Sequence, residues 1–279
     1  MKTRMLSGSI GAEITDVDLA NLDGSAFADI HQAFLDHGVI VVRDQDLRPD
    51  QMLEFAALWG AVHLHPYLSG LPDQPEIIEI VKEVGERNRF GAHWHTDQIF
   101  TPTPAKATML YAREVPPRGG DTIFASLGHA YAALSPGMRD MLAPLWTYSI
   151  YNKQRPRSRR MAAKIKGVET PAEPAIHPLI RQHPETGQPV LYLSDRQTTR
   201  HIDGMTEAES QPLLDYLLAH ATRPEFTCRI RWAVGTLALW DNRQLLHMAL
   251  DDYPDHRRVM HRITIKGEPT VGINTAGRP

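Results

Sequence analysis

Apolar residues in the N-terminal part of the chain switch between the two periods that define regular structure. From Ile10 to Leu19 apolar and polar positions alternate, which predicts a half-buried strand. Phe27, Ile30, His31, Phe34 and Leu35 then recur at helical spacing until Gly38 stops them. Val39-Ile40-Val41-Val42 is a short apolar run bounded by the turn-forming Asp44-Gln45-Asp46, and predicts a buried strand. Met52, Phe55, Ala56 and Trp59 mark one face of a second helix, with Pro49 near its start and Gly60 at its end. Both helices are expected to cover a sheet.

Beyond Glu76 the period of two dominates. Strands are predicted over residues 77–81, 92–97, 107–113, 122–124, 177–181, 190–193, 226–232, 236–241 and 259–266. Pro116-Pro117-Arg118-Gly119-Gly120-Asp121 reads as a turn between strands, and Ser135-Pro136 as a helix N-cap with proline at the first helical position. Thr206 and Glu209 form a capping box ahead of a helix that buries Leu213, Leu214, Leu217 and Leu218. No internal repeat and no linker between two cores is visible. The expected fold is mainly β with covering helices, a sandwich or jelly roll, in a single domain over 1–279.

Composition changes this picture little. The chain of 279 residues is 42% hydrophobic and 23% charged, with a formal net charge of -3. That balance gives no electrostatic reason to bind nucleic acid or a membrane surface, so the expected partner is a small molecule. The N-terminus lacks the apolar core of a signal peptide and no run approaches a membrane span, which makes a cytoplasmic protein the expectation. The single cysteine, Cys228, alternates with Phe226, Ile230 and Trp232 on an apolar face and reads as packing. One stretch is biased: residues 152–172 carry Lys153, Arg155, Arg157, Arg159, Arg160, Lys164 and Lys166 among few apolar residues. It reads as a solvated basic loop, with a lid over an anion-binding site as the alternative.

The candidate chemistry lies in Ala92-His93-Trp94-His95-Thr96-Asp97. On a strand His95 and Asp97 would share a face, with Thr96 turned away. Two ligands do not hold a divalent ion against water, and His247, after Trp240-Asp241-Asn242-Arg243, is the candidate third. Two histidines and a carboxylate with open positions is the site type of non-haem Fe(II) oxygenases. The pattern alone is weak, because His201-Ile202-Asp203 repeats it and His93 shares the face of His95.

Context adds specificity. Gly11-Ala12-Glu13-Ile14, Trp94-His95-Thr96-Asp97, Gly119-Gly120-Asp121-Thr122, His177-Pro178-Leu179, Trp240-Asp241-Asn242-Arg243 and Arg257-Arg258-Val259-Met260-His261-Arg262 occur in one order over nearly the whole chain. Together they resemble the taurine dioxygenase (TauD/TfdA) family of Fe(II)- and 2-oxoglutarate-dependent oxygenases. The resemblance implies a double-stranded β-helix core and a homo-oligomer, dimer or tetramer. It implies Fe(II) on His95, Asp97 and His247, with 2-oxoglutarate and O2 as cosubstrates. Thr122 and Arg258 match the positions that hold the distal carboxylate, and Arg262 the one facing the substrate anion and the keto-acid end. The implied reaction hydroxylates a small anionic substrate, releases succinate and carbon dioxide, and can end in collapse to a carbonyl product.

The match weakens at the substrate. His65 matches a histidine that contacts sulfonate, and Tyr67 and His93 flank the same pocket. A family tyrosine is replaced by Leu68, an asparagine by Gly91 and a phenylalanine by Gln197, while Tyr151 stands for another phenylalanine. The anion end is kept and the amine end is altered, so a sulfonate, sulfate ester, aryloxyalkanoate or other carboxylate with a different body is expected instead of taurine. Two rival readings remain at this stage, a zinc hydrolase on the same three ligands and a non-catalytic anion-binding barrel.

Overall fold

The strand Val39–Val42 shows how the molecule is layered. In the computed structural model, which describes residues 1–64, 68–86, 91–151 and 173–274, all four of its side chains are buried but into two different cores. Ile40 and Val42 join Phe34, Met52, Phe55 and Trp59 beneath the two N-terminal helices, whereas Val39 and Val41 join Phe124, Ile230, Trp240 and Leu245 on the opposite side. A strand covered on both faces needs no polar alternation, which is why its sequence is continuously apolar.

This strand belongs to a seven-stranded sheet in the order β1 (Lys2–Met5), β2 (Ala12–Thr15), β3 (Val39–Val42), β13 (Leu237–Asp241), β5 (Ala107–Glu114), β15 (Arg258–Ile265) and β4 (Ile78–Lys82). All its pairings are antiparallel except β2 with β3. A second sheet, β12 (Thr227–Ile230), β6 (Thr122–Ser126) and β14 (Leu245–Ala249), faces it across the core that holds Val39, Leu110, Phe124, Cys228, Trp232 and Met260. Two sheets packed through interdigitated inner faces make the jelly-roll core expected from the resemblance. Smaller sheets, β11 (Thr199–Ile202), β7 (Trp146–Ser149), β8 (Ala175–Pro178) and the pair β10 (Pro189–Leu191), β9 (Ile180–Gln182), lie beyond the second sheet.

The first helix ends where the sequence places its stop, whereas the second stops at Ala57, so Trp59 and Gly60 lie in the turn after it. Helix α1 (Gly24–His37) is capped by Asp23, whose carboxylate accepts from the Ala26 N–H at 2.8 Å, and closes on Gly38 at φ 72°. Helix α2 (Pro49–Ala57) starts on its proline. Two short helices, α3 (Leu127–Ala132) and α4 (Pro136–Leu142), precede β7, and Ser135 caps the second by accepting from the Met138 N–H. Helix α5 (Glu207–Ala221) carries the Thr206–Glu209 capping box and buries Leu214 and Leu217 against Leu179, Leu191 and Leu246. Burying each such side chain contributes roughly 1.5–3 kcal/mol before ordering costs.

Two local expectations are corrected. Residues 92–97 are not a strand: the stretch is irregular and joins the sheets by one isolated bridge, His95 with His247. Gln98, at φ 58°, turns the chain immediately after Asp97, so an extended run cannot form. Phe226 ends a short 3-10 turn, Pro224–Phe226, which shifts its phase; it packs with the α5 core, while Cys228, Ile230 and Trp232 do share the inner face. Burial pushes the Cys228 thiol up to about 12, the state of an inert packing residue. Among the described residues no helix is long and apolar enough to cross a membrane. His65, Tyr67 and the basic stretch 152–172 lie outside the described residues.

Candidate active site

The site forms where one hairpin crosses between the sheets. Strand β13 ends at Asp241 in the large sheet, residues 242–244 turn, and β14 begins at Leu245 in the second. This crossing presents Trp240, Asn242 and His247 toward the same end of the sandwich. His95 and His247 exchange main-chain hydrogen bonds at 3.0 and 2.8 Å, which draws the irregular 92–97 stretch onto β14.

The three predicted ligands converge. Nε2 of His95 and Nε2 of His247 each lie 3.8 Å from Oδ1 of Asp97, the imidazole centroids are 4.1 Å apart, and one donor atom from each residue fits within 4.8 Å. The His95 Nδ1–H donates to the His93 carbonyl at 2.8 Å, which fixes the tautomer and leaves Nε2 as a lone-pair donor. His93 therefore supports the triad through its carbonyl, with its ring 4.5 Å from that of His95. The rival His201 is elsewhere, in β11, stacked on Tyr148 of β7.

Asp97 is held by a chain of side chains. Its Oδ2 accepts from Thr108 at 2.6 Å, the Thr108 hydroxyl accepts from Asn242 Nδ2 at 2.9 Å, and Asn242 Oδ1 accepts from the Trp240 indole N–H at 2.9 Å. Arg262 Nη2 reaches Oδ1 at 2.8 Å. Burial opposes charge on Asp97, but the Arg262 guanidinium, with the hydrogen bond from Thr108, outweighs it and holds the carboxyl well below the usual range. Burial also keeps His247 neutral, well below the ordinary imidazole value, so its lone pair is available. The forward Nε2 of His95, the neutral His247 imidazole, a buried carboxylate and clear space toward Gly91 fit a divalent ion with open positions.

From the triad a cleft runs between the sheets, lined by Gly91, Leu110, Thr122, Trp240, Arg258 and Arg262. Arg258, Met260 and Arg262 alternate with Ile263 and Ile265, so both arginines point inward, as their spacing requires. Arg258 is buried, and its Nε and Nη2 meet no acceptor among the described residues. The turn before β6 positions Thr122 beside it: Gly120, at φ 69°, donates its N–H to Asp252, and any Cβ there would press on the Tyr253 ring.

The chain matches the family model described as "Taurine catabolism dioxygenase TauD, TfdA family" over residues 2–264. The chain belongs to the TauD/TfdA family. Within it, the chain is 33% identical to an alpha-ketoglutarate-dependent sulfate ester dioxygenase of Pseudomonas putida, over 96% of this chain and 90% of that one. It is likewise 33% identical to an alkylsulfatase of Acinetobacter baylyi, over 98% and 87%. The crystal structure of a taurine dioxygenase from Burkholderia xenovorans superposes with a TM-score of 0.83 at 36% identity, covering 98% of this chain and 93% of that one. TauD/TfdA proteins are non-haem iron oxidoreductases that require Fe(II), 2-oxoglutarate and O2, and His95, Asp97 and His247 form the candidate site for the iron.

The expected substrate positions are less concentrated. Leu68 packs with Ile78 and Ile80, and Ile80 lines the cleft. Gly91 lies against the His95 ring and accepts from the Ala249 N–H. Tyr151 meets the Phe100 ring at 4.9 Å, and Gln197 is exposed on the turn whose next residue, Thr198, accepts from the Ile150 N–H, so both sit at one rim. Sequence reasoning gave no role to Thr108 or Asn242 and placed Trp232 only on the apolar face with Cys228. A signal existed for the first: Thr108 is the one polar residue in Ala107-Thr108-Met109-Leu110-Tyr111-Ala112.

Proposed function

We propose that the protein hydroxylates a small organic anion with an apolar body, a sulfate ester or sulfonate in preference to taurine, at an iron held by His95, Asp97 and His247. Arg258 and Thr122 grip the distal carboxylate of 2-oxoglutarate in this reading. The observation that carries it is the buried Arg258 guanidinium, with Nε and Nη2 unpartnered among the described residues, lining the same cleft as the Thr122 hydroxyl. A cation withdrawn from water without acceptors costs several kcal/mol, and a carboxylate received in two parallel charge-assisted hydrogen bonds offsets that cost. A zinc hydrolase on the same triad gives this pair nothing to do, and a simple anion carrier has little use for the triad itself.

The iron, 2-oxoglutarate and O2 together supply the oxidising equivalents, with succinate and carbon dioxide as the cosubstrate's products. The chain's own residues orient and shield. Thr108 and Asn242 hold Asp97 in one rotamer, and the His93 carbonyl keeps Nε2 of His95 forward. Arg262, on the Asp97 side of the cleft with its Nε unpartnered, is the cation for the substrate anion. The apolar wall of Leu68, Ile78 and Ile80 stands near it and favours an alkyl or aryl body over an ammonium group. That preference agrees with the sulfate ester dioxygenase and alkylsulfatase among the relatives. With a sulfate ester, hydroxylation of the carbon bearing the ester oxygen gives a product that collapses to an aldehyde and inorganic sulfate.

The test is succinate formation by iron-loaded protein with 2-oxoglutarate and air, across alkyl sulfates, sulfonates and aryloxyalkanoates. Strong stimulation by an alkyl sulfate or an apolar sulfonate is expected. Stimulation by taurine alone overturns the substrate class, and absence of both succinate and 2-oxoglutarate binding overturns the reaction.

A further inference from the structure

Trp232 occupies a place in the inner core where any large apolar side chain would fill the space, yet it brings a polar N–H into that core. A buried indole N–H needs an acceptor, and here it finds one in the site: Nε1 lies 3.1 Å from Oγ1 of Thr122. The indole N–H is a donor only, so Thr122 must accept at this contact. A hydroxyl has one proton, and with a lone pair committed to Trp232 that proton is left to point elsewhere. The same indole ring supports the guanidinium of Arg258, whose Cζ lies 5.7 Å from the ring centroid. Tyr253 lies close to that guanidinium as well, and Nε and Nη2 meet no acceptor among the described residues. One residue thus touches both groups assigned above to the cosubstrate.

We propose that Trp232 is a positioning residue that sets the polarity of the cosubstrate pocket: it fixes the Thr122 hydroxyl as a donor and braces Arg258, so the pocket selects a 2-oxo acid that ends in a second carboxylate. This rests on the cosubstrate reading given above. Without the indole N–H the Thr122 proton can turn to other acceptors, and the pocket loses its preorganised donor while keeping its charge. The consequence falls on the distal carboxylate and not on the chelating end of the keto acid. A role in packing alone would affect every 2-oxo acid alike.

The experiment compares wild type with Trp232→Phe, which keeps an aromatic face and removes the donor, using 2-oxoglutarate and 2-oxovalerate, a 2-oxo acid of similar length without the second carboxylate. In the iron-loaded full chain, KM for 2-oxoglutarate is expected to rise about 3- to 10-fold, the scale of one net hydrogen bond, with kcat at saturation and the melting temperature near wild type. Apparent affinity for 2-oxovalerate should stay constant, so the preference for the dicarboxylate shrinks. An unchanged KM for 2-oxoglutarate, or an equal loss for both acids, overturns the proposal. Thr122→Val supplies a second route should Trp232→Phe fail to fold: it must show the same selective loss, and an unaltered preference overturns the proposal by itself. Arg258→Ala separates the two layers of argument. If it loses 2-oxoglutarate affinity while the other variants do not, the Trp232 proposal fails alone; if it too is silent, the cosubstrate reading fails.

Discussion

At the triad end of the cleft both carboxylate oxygens of Asp97 are occupied, one by Thr108 and one by Arg262, and the network continues through Asn242 to Trp240. At the other end Arg258 is also buried, and two of its three nitrogens have no partner among the described residues. Both ends draw on the inner faces of the same sheets, with the irregular 92–97 stretch added at the triad, and burial does not distinguish them. What differs is who supplies the complementary charge. Around the Asp97 carboxylate the protein completes its own hydrogen bonds; toward the molecules to be received, at Arg258 and at Nε of Arg262, it leaves donors open among the described residues.

The contrast breaks most completely at Asp97. Asp97→Ala removes one of three protein donors and strands Arg262 without a counter-ion, and coupled succinate formation should fall to background. Activity near wild type would mean the triad is not the iron site. Next is Arg258→Ala, which should weaken 2-oxoglutarate binding by about 1.5–3 kcal/mol while leaving metal affinity intact, both read by titration calorimetry. An unaltered cosubstrate affinity would show that the open donors serve something else. Thr108→Val acts in the reverse sense: loss of the hydroxyl that positions Asp97 should lower Co(II) or Fe(II) affinity about 10- to 100-fold, with the cosubstrate end unaffected. Equal effects of Thr108→Val and Arg258→Ala on both ligands would erase the distinction.

Much of this architecture was legible because period and punctuation agree. Helix α1 runs from its Asp23 cap to Gly38, β3 is continuously apolar because it is covered twice, and the spacing of Arg258 and Arg262 places both inward. The triad residues were legible as well, but the local shape of 92–97 was not. An H-x-D reads as alternation on a strand, whereas here a bridge to His247 and a turn at Gln98 produce the convergence. Strand β14 escaped notice because Leu245 and Leu246 bury into opposite cores, so Leu-Leu-His-Met-Ala shows no alternation. The partners of Asp97 and Thr122 come from strands distant in sequence, and a single threonine or tryptophan in an apolar run carries no mark of which polar group it will meet.

The bridge between His95 and His247 also bears on how the ion and the fold depend on each other. The two imidazoles are carried by residues about 150 positions apart, a separation whose closure from a free chain costs several kcal/mol of entropy. Paired main-chain hydrogen bonds have already met that cost in the folded protein. Chelation then adds no ordering of the polypeptide, and the ion acts on stability by linkage alone, about 2.7 kcal/mol when its free concentration is a hundredfold above its dissociation constant. Chelator should therefore lower the melting temperature in proportion to the logarithm of free metal while the far-ultraviolet circular dichroism at room temperature stays the same, the behaviour of an enzyme that can be emptied and refilled without refolding.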